Sequence, residues 1–481
     1  MTTVLWLRRD LRLRDHPALV AAHEAAQGSG GDVLPLFVAD PALLTTAGPA
    51  RRAALTEALT ALHDAYDGAL VVRWGRPADV VPAVAAEVGA RSVHVSAETT
   101  PYGRRRDDLT AAALRETLRG DVRLVATGSP YAVTPGRVLA QSGEPYQVFT
   151  PFARAWRDHG WRRPATVPVG LSWHQGRPSD GIPDEGRTQA GPVPGGPRLG
   201  PVDGVPSLAA ADPVGEDAAL RRWSDVLERG LDSYGADRDR PDLDGTSRLS
   251  AQLKFGTVHP RTLLADLAAH PSGRGDGATR FVTELAWREF YADVLWHHPG
   301  SAWADLKPAL GALEYDDPAD PTVAGAVEAW REGRTGYPLV DAGMRQLLAT
   351  GWMHNRVRMV TASFLVKDLH VWWVHGARYF LEQLRDGDIA SNNHGWQWVA
   401  GTGTDAAPYF RVFNPVLQGE RFDPDGAYVR RWVPELRHLP GSSAHQPWRR
   451  PDGYAHGYPE RVVDHAEART ETLRRYGVTR D

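Results

Sequence analysis

Cysteine is absent from all 481 residues. Its absence excludes disulfides, thiolate zinc sites, cysteine nucleophiles and cysteine-ligated iron–sulfur clusters. No apolar run approaches the length of a membrane span. The opening "MTTVLWLRRDLRLRD" turns charged too early for a signal peptide, so a cytoplasmic protein with no membrane partner is expected. A glycine-rich phosphate loop is missing where it would count, because the first apolar run leads into "RRDLRLRDHP". "GSGGD" (28–32) follows a helical stretch and precedes a strand, the wrong context for a dinucleotide fingerprint, and reads as a plain loop. Charge of one sign is lacking too: the formal net charge is −4, so any attraction to nucleic acid must come from a local basic face.

What is present is ordinary in bulk, 42% hydrophobic and 24% charged, in a chain long enough for two or three domains. The first 130 residues alternate short apolar runs with Ala-rich helical patterns. "VLWL" (4–7), "VLPLFV" (33–38), "ALVVRW" (69–74), "SVHV" (92–95) and "VRLVA" (122–126) predict five buried strands. Strands alternating with helices predict an α/β domain built on a doubly wound parallel sheet, which binds ligands at the carboxyl ends of its strands. Residues 131–215 form a connector, and within it 164–213 hold ten prolines and nine glycines, too few apolar groups for a core. From 216 to about 475 apolar residues recur at three- and four-residue spacing, which predicts a larger all-helical domain.

Four constellations in that domain invite chemistry. In "ELAWREFY", Glu284, Trp287, Arg288 and Tyr291 share one helix face, either as an amphipathic surface with an internal Glu–Arg pair or as a polar site. In "GWMHNRVRM", His354 lies four residues from Arg358 and Asn355 four from Met359, beside the apolar turn "VTASFLV". Asn and Arg there cost free energy unless something polar meets them. The acids of "DGDIASNNHGWQW" (386–398) could do so as a structural salt bridge. In that stretch Asp388 suits an N-cap for a helix over 389–400, with Gly401 as its stop. Asp388, Asn392 and Trp396 then share a face, which suits a flat heteroaromatic ligand such as a flavin or a purine, or simply a capped helix with core tryptophans. "DGTSRLSAQLKFG" (244–256) offers hydroxyls and amides ahead of a helix, either for phosphate oxygens or as an N-cap by Thr246 or Ser247.

With "TGYPLVDAGMRQLLATGWMHNRVRM", "GTDAAPYFRVFNP", the opening "WLRRDLRLRDHPAL" and "PYQVFTPFARAW", these segments stand in the order and approximate spacing of one family. The chain resembles the DNA photolyase/cryptochrome family over nearly its whole length apart from the linker, and within it the class I cyclobutane pyrimidine dimer photolyases. The resemblance implies a light-driven lyase in which excited reduced FAD passes an electron to a pyrimidine dimer flipped out of DNA. The alternative within the family is a cryptochrome-like blue-light sensor signalling through a protein partner. A monomer with damaged DNA as its partner, and no obligate protein partner, is expected. A second histidine where Met359 stands would have marked a six-four enzyme, and four cysteines the iron–sulfur branch. A long tail after "HQPW" (445–448) would have suggested a sensor; here the chain runs only to residue 481.

By the same resemblance Tyr234 and the stretch Thr246, Ser247, Arg248, Leu249 and Ser250 match FAD-phosphate positions, and Arg288 and Asn355 are grouped with the cofactor. Arg358 and Asp386 match the pair beside the flavin ring, Asp388 a ribityl and ring contact, and Asn392 the amide facing flavin N5. Glu284 matches the acid that hydrogen-bonds the dimer, Trp287 and Trp398 the walls of the lesion pocket, and Asn355 and Met359 further pocket contacts. Arg238, Arg356 and Arg411 match phosphate-contacting positions. Trp396 and Trp373 match the first two tryptophans of a photoreduction chain. The third position reads Tyr315, with Asp316, Asp317 or solvent to take its proton; the alternative is a loop tyrosine, with another indole such as Trp372 or Trp303 ending the chain. "PARRAAL", "PYGRRRD" and Lys254 resemble the sites that hold an 8-hydroxy-5-deazaflavin antenna, a folate being the other option. Arg8, Arg51, Glu98 and Lys254 are the expected antenna contacts, although Thr100 stands where that type carries a second acid.

Overall fold

The computed structural model describes residues 2–118, 121–174, 212–307, 313–405 and 411–478. It forms two compact units. One takes the chain up to 174 with 212–232 and 247–299; the other takes 233–246 and the chain from 300 onward.

The first unit is built on five parallel strands, β1 (Thr3–Leu7), β2 (Val33–Ala39), β3 (Val71–Trp74), β4 (Ser92–Val95) and β5 (Arg123–Ala126), in the order β3-β2-β1-β4-β5. All five lie within a residue or two of the predicted runs. Along β1, Leu5 and Leu7 pack on one side of the sheet and Val4 and Trp6 on the other, so both faces are covered. The helices Pro17–Gln27, Pro49–Ala65, Pro77–Glu87 and Pro101–Thr117 each start on a proline, whose fixed φ and missing N–H suit the first helical position. The strand order reverses between β1 and β4, and the crevice at their carboxyl ends is where such sheets take ligands.

The expected boundary at 216 falls elsewhere. The helices Glu216–Asp225, Ser250–Phe255, Pro260–Ala269 and Asp276–His297 belong with the sheet. Long-range hydrogen bonds decide this: the Glu216 carboxylate accepts from the amides of Leu13 and Arg14 at 2.8 Å, and Arg12 donates to the Gly256 carbonyl at 3.0 Å. Most of the predicted linker, 175–211, lies outside the described residues. Its first part is docked, with Trp173 bridging to Val33 and stacking on Tyr66 at 4.4 Å.

The second unit is helical. Its core runs from Val327 to Tyr458 and includes Trp330, Phe364, Trp373, Phe380 and Trp396. The helix Asn355–Ser363 runs on into a widened π turn at Phe364–Asp368, and Trp373–Gln383 and Ile389–Ala400 pack side by side. The last of these matches its predicted span. The Asp388 side chain accepts from the Ser391 amide at 3.1 Å, and Gly401 ends the helix in the left-handed region at φ 89°.

Candidate functional site

In the second unit the structure brings Arg358 and Asp386 together: Nη2 donates to Oδ2 at 2.8 Å, and Arg358 Nε donates to the Met353 carbonyl at 2.8 Å. Asp386 is buried, and its Oδ1 has no hydrogen-bond partner. Asn392, one turn into the capped helix, uses its nitrogen twice, toward Ala377 O at 3.1 Å and Asn393 Oδ1 at 2.8 Å. Those bonds leave its carbonyl oxygen without a partner among the described residues. An unsatisfied buried acceptor is costly, so an arrangement that keeps one is a place to look for a ligand donor. His354 does not pair with Arg358 as the spacing suggested. Its Nδ1 caps the helix by accepting from the Arg356 amide at 3.2 Å, and burial lowers its pKa to about 4, so it is neutral.

Trp396 is buried with its six-membered ring against Gly376, where any Cβ would overlap it. Its ring neighbours are Phe380 at 4.9 Å and Trp330 at 6.2 Å. Trp373 begins the helix that carries Gly376, is fully buried, and donates from Nε1 to Asp305 Oδ1 at 2.7 Å. The Tyr315 role loses its expected proton acceptors. The Asp316 carboxylate pairs with Arg475 at 2.9 Å, and Asp317 accepts from the Ala319 amide at 2.9 Å. The Tyr315 hydroxyl is buried without a partner among the described residues, and burial, with Tyr476 and Asp305, raises its pKa far above the phenol range. The ring that meets Trp373 is Trp372, at 6.2 Å.

Among the expected DNA-contacting positions of this unit, Arg356 pairs with Asp239 at 2.9 Å and lies over Phe422 at 4.5 Å. Arg411 is exposed, and its carbonyl accepts from the buried Lys367 ammonium at 3.0 Å. Arg238 and Met359 are half-buried, Asn355 is exposed, and Trp398 packs against the edge of the core. Tyr234 is buried at the start of a single helical turn, Tyr234–Asp237. Thr246 ends this unit's share of the expected phosphate-binding stretch.

In the first unit Ser247 and Arg248 precede the helix Ser250–Phe255, whose N-cap position is Leu249 without a side-chain cap. Neither Thr246 nor Ser247 stands at the N-cap position; the Ser247 hydroxyl accepts instead from the Leu249 amide at 3.5 Å. Arg248 holds φ 52°, a left-handed conformation that costs a non-glycine residue about 1–2 kcal/mol and concentrates at functional loops. On the helix Asp276–His297, Arg288 is committed to the fold: it donates to Pro130 O at 3.2 Å and Leu253 O at 3.1 Å and covers the Tyr131 ring at 4.4 Å. Trp287 stacks on Phe149 at 3.6 Å, and Glu284, one turn earlier, is half-buried. The sequence reading missed Glu289. Its buried carboxylate accepts from Ala132 N, Val133 N and Trp156 Nε1, and burial raises its pKa to about 7. The available signal was a pair of acids one turn apart, Glu289 and Asp293, on the otherwise apolar buried face of this helix.

Arg8 and Glu98 follow β1 and β4, at the reversal in strand order. Arg8 is paired with Asp107 at 3.0 Å and covers Trp6 at 4.5 Å. Burial alone would raise the Glu98 carboxyl, but Arg9, Arg106 and Arg8 hold it below its ordinary pKa. Arg9 lies 3.8 Å from Glu98 and reaches the Lys254 carbonyl at 3.4 Å. Arg51 instead donates to Thr46 O at 2.9 Å.

The first unit thus offers a parallel five-stranded sheet with an arginine-rich switch point, and the second a half-satisfied Arg–Asp pair beside a tryptophan-rich core. Family models agree: residues 3–169 match "DNA photolyase" and 281–478 match "FAD binding domain of DNA photolyase". A deoxyribodipyrimidine photo-lyase of Streptomyces griseus is 41% identical, with 99% of each chain covered. The structure of a bacterial class III photolyase from Agrobacterium tumefaciens is similar with TM-score 0.85 and 34% identity, covering 99% of this chain and 97% of that one. An archaeal photolyase from Sulfolobus tokodaii, described with two FAD molecules, is similar with TM-score 0.78 and 28% identity, covering 99% and 100%. The chain belongs to the DNA photolyase family.

Proposed function

We propose that this protein repairs cyclobutane pyrimidine dimers in DNA with light, using bound FAD. The observation that carries the cofactor assignment is the buried Arg358–Asp386 pair, with Oδ1 of Asp386 and the carbonyl oxygen of Asn392 left as free acceptors. They fit a flavin, which presents N–H donors along its edge and, when reduced, a negative charge that Arg358 would balance. Reduced FAD would supply, on absorbing light, the single electron that opens the cyclobutane ring. Asn392 would accept the hydrogen at flavin N5, and Asp388 would hold the ribityl chain while capping its own helix. Trp396 and Trp373 would return electrons to an oxidised flavin from the protein side.

A dimer inside a duplex must be turned out of the stack, as photolyases and other base-directed enzymes do. In the first unit Glu284 would hydrogen-bond a pyrimidine carbonyl and Trp287 would meet an apolar ring face; in the second, Trp398, Asn355 and Met359 are lesion contacts proposed in their own right. Arg238, Arg356 and Arg411 would meet phosphates, which reconciles DNA binding with a net charge of −4. The arginine-lined crevice beside Glu98 would hold a light-harvesting pigment of the 8-hydroxy-5-deazaflavin type.

Illuminating the reduced protein with dimer-containing oligonucleotide and measuring dimer loss tests the proposal. Light-dependent loss is expected. Its absence in a flavin-loaded protein would overturn repair and favour a light sensor.

A further inference from the structure

Trp396 has two ways to pass on a positive charge. One runs along the helix bearing Gly376 to Trp373; the other goes to Trp330, 6.2 Å away, and on to Tyr379 at 5.6 Å. The surroundings of the two branches differ in sign. The Trp373 indole N–H is hydrogen-bonded to the Asp305 carboxylate at 2.7 Å, whereas that of Trp330 goes to the neutral Thr361 carbonyl at 3.0 Å. Tyr379 carries the Arg331 guanidinium over its ring at 5.6 Å, and its hydroxyl donates to a backbone carbonyl. An anion beside an indole favours its oxidised form and a cation beside a phenol disfavours it, the more so in a buried core.

We propose that Asp305 is a positioning residue of the electron path: through Trp373 it draws the oxidising equivalent onto that branch and keeps it there. This rests on the cofactor assignment above. The oxidant is the oxidised indole of Trp396, formed when a light-excited flavin takes an electron from it. One electron leaves Trp373 and restores Trp396. The Nε1 proton of Trp373 crosses to Asp305 Oδ1, which gives a neutral indolyl radical and a neutral carboxylic acid. Charge recombination then requires that proton to return, which lengthens the time in which an external one-electron donor can act. Among the described residues the Tyr315 phenol has no such base at its hydroxyl.

The test compares wild type, Asp305→Asn and Asp305→Glu as holoproteins by transient absorption. In Asp305→Asn, flavin photoreduction is expected to fall by about tenfold, with a tryptophan radical cation in place of the neutral radical. Asp305→Glu should restore much of both. Tyr379→Phe, which keeps the ring, should photoreduce like wild type. Equal photoreduction in wild type and Asp305→Asn, or a loss in Tyr379→Phe, would overturn the inference while leaving the cofactor assignment intact. A wild-type protein that binds no flavin would overturn both. Independently of flavin, the Trp373 indole N–H resonance of nitrogen-15-labelled protein should move in Asp305→Asn; an unmoved resonance would remove the hydrogen bond on which the idea stands.

Discussion

Arg358 holds Asp386 by one carboxylate oxygen at 2.8 Å and leaves the other, buried, without a donor. Among the described residues the charge of Asp386 is therefore balanced by a single contact. Arg358→Ala would strand that charge, and breaking a buried pair by removing one partner is strongly destabilising. We expect a loss of about 3 kcal/mol in urea unfolding of the apoprotein, together with loss of flavin on gel filtration. An unchanged unfolding midpoint would show that Asp386 is neutralised some other way.

Glu284→Ala should keep both flavin and DNA affinity and lower repair per absorbed photon by about tenfold to a hundredfold, the range for one lost transition-state hydrogen bond. Quantum-yield measurements on dimer-containing oligonucleotide read this directly. Flavin loss in place of repair loss would mean that Glu284 serves the cofactor.

Asn392→Asp places an ionisable oxygen where the free amide carbonyl now stands. The absorption spectrum that develops under illumination is expected to differ from wild type, because the group meant to face flavin N5 becomes an anion. Superimposable spectra would take the N5 contact away from Asn392.

Glu289 should make stability depend on pH. Its ordinary pKa of 4.5 rises to about 7 in the folded chain, because burial outweighs its three N–H donors. Between these values the unfolded chain has released a proton that the folded one keeps, so stability falls as pH rises through that window, by about 3 kcal/mol. Glu289→Gln, which cannot ionise, should have a flatter stability profile from pH 4.5 to 7. Urea titrations across this range check the slope; equal slopes would mean that Glu289 is ionised in the folded protein.

Local chemistry made much of this legible. The five strands are continuous apolar runs, and the helix after Asp388 is bracketed by a cap and a glycine. What stayed hidden depends on distance along the chain. Asp305 meets Trp373 across 68 residues, and Glu289 meets Ala132 across 157, and no periodicity encodes either contact. The compact units divide elsewhere than at 216 for the same reason: helical spacing says that a segment is a helix, not which core it joins. The two acids after Tyr315 show the limit of adjacency in sequence: Asp316 turns toward Arg475, which no local pattern encodes.

Gly376 lets the Trp396 indole lie directly on a neighbouring helix, and Trp330, Phe380, Trp373 and Trp396 belong to a single packed core. The side chains that keep the helical unit folded are thus also its most oxidisable inventory. Selection cannot tune one property without moving the other: a mutation that loosens packing around Trp396 also lengthens an electron's jump, and one that reroutes the electron must refill a hole. Lineages of this protein should therefore drift in melting temperature and in photoreduction rate together, and a variant library sorted for either trait alone would return changes in both.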